Sequence, residues 1–71
     1  MHQGLRICPT WDSKGIAIKE GDILQSRYRE KYKVLFYARD EVWMLKPLDK
    51  CSLPVILTEW RINYNQMEVQ V

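Results

Sequence analysis

The chain has 71 residues, 46% of them apolar and 28% charged, with eleven Lys or Arg against nine Asp or Glu and a net charge of +2. This is the composition of a single small domain spanning 1–71, and it excludes wholesale disorder; no run approaches the roughly 20 apolar residues of a membrane helix. A chain this short buries only about 60% of its unfolded surface, which leaves little room for a deep catalytic cavity, and its mild net charge gives information about partners only through its distribution.

The N-terminus MHQGLRICPT lacks the apolar core of a secretory signal, so a cytoplasmic protein with no membrane span is expected. Cys8 and Cys51 lie far apart and form no CxxC pair, so no metal site is expected. Two free thiols fit a reducing compartment; the alternative is a disulfide tying the N-terminal segment to the loop after the third long strand.

In chain order, residues 1–4 are expected to fray, and Leu5 to Cys8 to form a short strand that Pro9 ends because proline supplies no ladder donor. Thr10 to Gly15 reads as a loop, with Trp11 folded back over the core as an anchor. Ile16 to Ile18 alternates as a brief strand, and Lys19 to Asp22 has turn composition, with Gly21 able to take positive φ. A three-stranded antiparallel meander follows. Its strands are Ile23 to Ser26, Tyr32 to Ala38 and Val42 to Leu48, separated by charge-rich turns at Arg27 to Lys31 and Arg39 to Glu41.

On the middle strand, alternation puts Tyr32, Val34, Phe36 and Ala38 on a core face and Lys31, Lys33, Leu35, Tyr37 and Arg39 on an outer one. The third strand is apolar on both alternations, leaving its inward face undecided between Val42/Met44 and Trp43/Leu45. Pro47 points to an edge or kink at its end.

Pro54 to Leu57 gives a fourth short strand. Thr58 then stands as a helix N-cap, with Glu59 in the first turn and Leu57 and Ile62 at the two positions of a hydrophobic staple. A turn or two of helix ends at Asn63 or Asn65, and Met67 to Val71 alternates as the last strand.

The pattern, carried by Gly21-Asp22-Ile23-Leu24, the meander to Leu48 and Leu57 to Val71, resembles the small SH3-like barrels that include KOW and Tudor-type modules. That resemblance implies a mainly β, five-stranded barrel with one short helical turn before the last strand; an OB-like barrel is the competitor. The glycine that closes many KOW units is missing, as is a Tudor-type aromatic cage, so no family residue carries over position by position.

Chemistry is sparse. The single histidine, His2, sits at the terminus, and there is no phosphate loop, nucleophile elbow or paired catalytic carboxylate, so no enzyme activity and no cofactor are expected. The densest local signal is Arg27 to Lys33, four cations and two tyrosines against one glutamate. Cations there neutralise phosphates and exposed rings stack on unpaired bases, which makes Arg27, Tyr28, Arg29, Lys31 and Lys33 a candidate surface for RNA or DNA, with Lys46 and Arg39 as extensions. The plain alternative is a solvated hairpin turn.

Three tryptophans exceed what so small a core holds comfortably. Tyr37, Trp43 and Trp60, with Tyr64, therefore form a second candidate, an adaptor or inhibitor surface for a protein partner or a second copy. A third candidate is strand addition at a free edge, at Ile16 to Ile18 or Met67 to Val71.

Overall fold

The computed structural model describes residues 6–49 and 51–70. The expectations for residues 1–4, for His2, for Leu5 and for Val71 lie outside those residues.

The chain opens with a hairpin, β1 (Ile7–Trp11) against β2 (Ala17–Lys19). Pro9 does not end β1 as its missing donor suggested, because the pairing slips between Ile7↔Lys19 and Trp11↔Ala17 and the irregular stretch asks no ladder bond of it. Trp11 is also not a core anchor: it stands opposite Ala17 on the exposed side of the hairpin, while Cys8 and Ile18 fill the buried side.

Asp12 organises the hairpin loop. Its Oδ1 accepts from Lys14 N at 2.9 Å and Ile16 N at 2.8 Å, and its Oδ2 reaches Val69 N at 2.9 Å, far along the chain. Burial is the largest single influence on this carboxyl and raises its pKa, but the backbone donors of Val69, Ile16 and Lys14 and the Lys14 charge together outweigh it and hold the pKa below the ordinary aspartate value.

A tight turn with Gly21 at φ 91° leads into the five-stranded antiparallel sheet. Strands β3 (Ile23–Gln25), β4 (Lys31–Tyr37) and β5 (Val42–Pro47) form the expected three-stranded meander, and the expected fourth strand, β6 (Val55–Ile56), pairs beside β5. Helix α1 (Glu59–Asn65) then carries the chain back to lay β7 (Glu68–Gln70) beside β3, giving the order β6-β5-β4-β3-β7.

The helix starts where Thr58 predicts: its Oγ1 accepts from Arg61 N at 3.0 Å, and both staple residues, Leu57 and Ile62, join the core. It ends one residue later than expected, with neither Asn63 nor Asn65 but Gln66 in the left-handed region at φ 50°. Gln66 N donates to Asn63 O and Met67 N to Ile62 O, so the buried Ile62–Met67 contact fixes the stopping point rather than the conformational ease of asparagine.

Register settles the faces. Leu24, Val34 and Leu45 are fully buried on the inner face, with Tyr32, Trp43, Val55 and Val69 packed around them; Cys8 and Ile18 from the hairpin and Leu57, Ile62 and Met67 from the helix region close the core. The inward pair on β5 is therefore Trp43/Leu45, and Trp43 tilts against Phe36 with ring centroids 4.9 Å apart. Ala38 falls in the exposed turn after β4 instead of on the core face.

The sheet is open, which corrects the expected five-stranded barrel. β1 and β2 form a sheet of their own, and the gap to β7 is bridged by the Asp12 carboxylate on Val69 N and by Ser13 N donating to Met67 O at 2.9 Å. A strand carrying a proline and a slipped register cannot run a continuous ladder along a three-residue partner, so a loop seals that side instead.

Candidate nucleic-acid interface

The turn between β3 and β4 is built by Ser26. Its backbone exchanges bonds with Glu30 and Arg29, and its buried hydroxyl accepts from Tyr28 N at 3.2 Å and Glu30 N at 3.3 Å, which holds Arg29 in the left-handed region at φ 66°. The turn is pinned to the end of the helix by Arg27 N, which donates to Asn65 O at 2.8 Å.

That single bond brings two distant stretches into register. On the helix, Trp60 and Tyr64 are four residues apart, so their rings share a face and stack at 5.0 Å with only 13° between planes. The Arg27 guanidinium lies 5.6 Å from the Tyr64 ring centroid and 5.0 Å from that of Tyr28, and its Nη2 donates to the Tyr28 hydroxyl at 2.8 Å. The result is a continuous ladder, Trp60–Tyr64–Arg27–Tyr28, whose three aromatic members are 67%, 55% and 57% exposed in that order. A shallow open depression lined by Glu59, Trp60, Asn63 and Tyr64 borders its helical end.

Of the cations expected beside it, Arg29 is exposed at the tip of the same turn, and Lys31 is exposed at the start of β4, its backbone N 3.4 Å from Asp49 Oδ2. Lys33 lies further along β4 on the outer face, directly opposite Lys46. Arg39 lies in the turn at the far end of β4, a strand of seven residues or roughly 20 Å, and does not join the group. Tyr32 turns inward against the core with its hydroxyl 3.2 Å from Glu30 Oε1, so Tyr28 is the ring the turn presents.

The aromatic trio Tyr37, Trp43 and Trp60 falls on three elements: the outer face of β4, the inner face of β5 and the helix. Of the two edges considered for strand addition, β7 has Val69 N and Met67 O already bonded to the hairpin loop. At the opposite edge, β6, Ile56 O accepts from Arg61 Nε at 3.2 Å.

The sequence assigned Arg27/Tyr28 and Trp60/Tyr64 to two unrelated surfaces. The local signal available for half of the ladder was the four-residue spacing of Trp60 and Tyr64 on a helix whose other face carries Ile62. Among the described residues, no group of three or more His, Cys, Asp or Glu is placed to hold a metal ion, and no helix is long and apolar enough to cross a membrane. Comparison with protein families, curated proteins and solved structures gives no match to this chain. The functional reading rests on the ladder itself.

Proposed function

We propose that this chain is a non-catalytic module that binds single-stranded nucleic acid across the Trp60–Tyr64–Arg27–Tyr28 ladder. The observation that carries the reading is the coexistence, on one exposed surface, of the stacked Trp60 and Tyr64 rings, the Tyr28 ring and a guanidinium that lies between Tyr64 and Tyr28. Unpaired bases have open π-faces to lay on Trp60 and Tyr28, the two end members of the ladder, whereas duplex bases are already stacked on each other; each base–aromatic contact contributes about 1–3 kcal/mol.

Arg27 serves both parts of the ligand. Its charge lies between the Tyr64 and Tyr28 rings, and with the exposed Arg29 and Lys31 it supplies the cations for the phosphates. Three such contacts on a single strand give a salt slope of about −2 in log K against log salt.

The test is a fluorescence titration with oligo(dT), oligo(U) and a duplex of equal length, each at two salt concentrations. Quenching by the single strands that weakens with salt, disappears in Arg27→Glu/Arg29→Glu and loses its amplitude in Trp60→Phe is the expected result. Saturable binding that survives the double charge reversal, or none at low salt, overturns the proposal.

A further inference from the structure

The hairpin and helix residues of the core, Cys8, Ile18 and Ile62, pack on one face of the five-stranded sheet, and among the described residues the core has no member on the outward face. The pairings Leu35↔Met44 and Met44↔Ile56 set these three side chains in one row across β4, β5 and β6, and Tyr37↔Val42 makes the next row on the same face. Ile23 continues the face on β3. None of these residues belongs to the core or packs against it; Ile56 is 54% exposed. A sheet face of aliphatic side chains is ordinarily covered by a second layer.

The charge on this face is one-sided. Lys33 and Lys46 stand directly opposite each other beside the aliphatic row, and Lys31 follows two residues before Lys33. Like charges so paired are mutually destabilising, and neither lysine is in an ion pair among the described residues. Among the described residues, the strand carboxylate on this face is Glu68 on the far edge strand, with Lys14 3.4 Å from it, and Asp49 beyond β5 reaches Lys31 N at 3.4 Å.

From this arrangement we infer that the outward sheet face docks an acidic amphipathic helix of a partner protein. Its aliphatic stripe covers Leu35, Met44 and Ile56, and its flanking carboxylates sit between Lys33 and Lys46. The dimensions agree. Three strands span two gaps of about 4.8 Å, roughly 10 Å, which is the width of a helix with its side chains, and the distance from the lysine row to the Tyr37/Val42 row is about 13 Å, or two to three helical turns.

A second copy of the same face is disfavoured, since its aliphatic row and the Tyr37/Val42 row bring no carboxylate to Lys33 and Lys46. An added strand is disfavoured because the β7 edge is bonded at Val69 N and Met67 O and the β6 edge at Ile56 O. The row of Leu35, Met44 and Ile56 offers bases no stacking surface, and Tyr37 stands at the end of β4 away from the Arg27–Tyr28 turn, so this face is separate from the nucleic-acid ladder.

The test uses a synthetic helical peptide of about 15 residues with a leucine stripe bordered by glutamate, and a twin with lysine replacing every glutamate, each titrated into the labelled protein and followed by methyl and amide NMR. The expected result is saturable shifts centred on Leu35, Met44 and Ile56 with the acidic peptide alone. Affinity falls about tenfold or more in Lys33→Glu/Lys46→Glu and in Met44→Asp, whose folding is checked by circular dichroism, and is unchanged in Trp60→Ala/Tyr64→Ala, which separates this surface from the ladder. The inference is overturned by an absence of shifts on this face, by equal binding of the lysine peptide, by concentration-dependent shifts there in the protein alone, which would mark a self-interface, or by an oligonucleotide that displaces the peptide from it.

Discussion

Replacing Asp12 with alanine removes the acceptor for three backbone N–H groups at 2.8–2.9 Å. Hydrogen bonds to a charged group contribute about 1.5–3 kcal/mol each, but the amides of Lys14 and Ile16 lie in a loop that water can reach, leaving Val69 N as the one that must go unsatisfied in the seam. The expected cost is therefore about 3 kcal/mol, out of a total stability of roughly 4–10 kcal/mol for a domain of this size. In thermal terms the midpoint falls by about 12–24 °C. Asp12→Asn, which keeps one acceptor oxygen but turns an amide toward a donor, falls between.

The pH dependence has a definite sign. Because the native pKa of Asp12 is lowered, the carboxylate's contribution is complete above the ordinary aspartate value of 3.8 and is lost as pH falls below it through the native value. Urea titrations followed by circular dichroism should accordingly show a gap between wild type and Asp12→Asn at pH ~7 that narrows as pH falls below 3.8. A cost under about 0.5 kcal/mol for the alanine variant, or a gap that does not move with pH, refutes the role assigned to this side chain.

Gln66→Gly relieves a left-handed side chain at the helix end and should raise stability by about 0.5–1 kcal/mol, measured by the urea midpoint. Arg29→Gly should stabilise by a similar amount for the same reason while weakening oligonucleotide binding and flattening its salt slope by about 0.7; stabilisation without loss of affinity would remove Arg29 from the interface. Burial pushes the Cys8 thiol pKa up, against smaller opposing effects of hydrogen bonding to Thr10, whereas Cys51 is exposed. A thiol reagent should therefore label Cys51 promptly and Cys8 only on unfolding, and equal rates would contradict the burial of β1.

The features legible in the sequence are those that short-range chemistry dictates. Thr58, Leu57 and Ile62 announce the helix start, and Gly21 announces its turn. The alternation of Tyr32, Val34 and Phe36 announces the inner face of β4. What was not legible depends on distant partners. Trp43 and Met44 are equally apolar, and only pairing with Phe36 and Leu35 tells which of them faces the core. The open edge follows from the slipped pairing around Pro9 and the reach of Asp12 to Val69, neither of which leaves a local pattern. The ladder escaped for the same reason: Arg27 and Tyr64 are unremarkable where they stand in the chain and acquire a joint meaning only through the bond from Arg27 N to Asn65 O.

That bond also ties recognition to folding order. Tyr28 and Tyr64 are separated by β4, β5 and β6, so the ladder cannot exist in any partly folded chain in which the helix and β7 have yet to dock on β3. The closure of so long a loop comes late in entropy terms, and the interface is complete only when the domain is. A ligand on the ladder therefore selects the finished fold: at one hundred times its dissociation constant it would add about 2.7 kcal/mol to the stability of the entire domain. In so small a protein, occupancy of the ladder by any such ligand and survival against unfolding would be one coupled equilibrium.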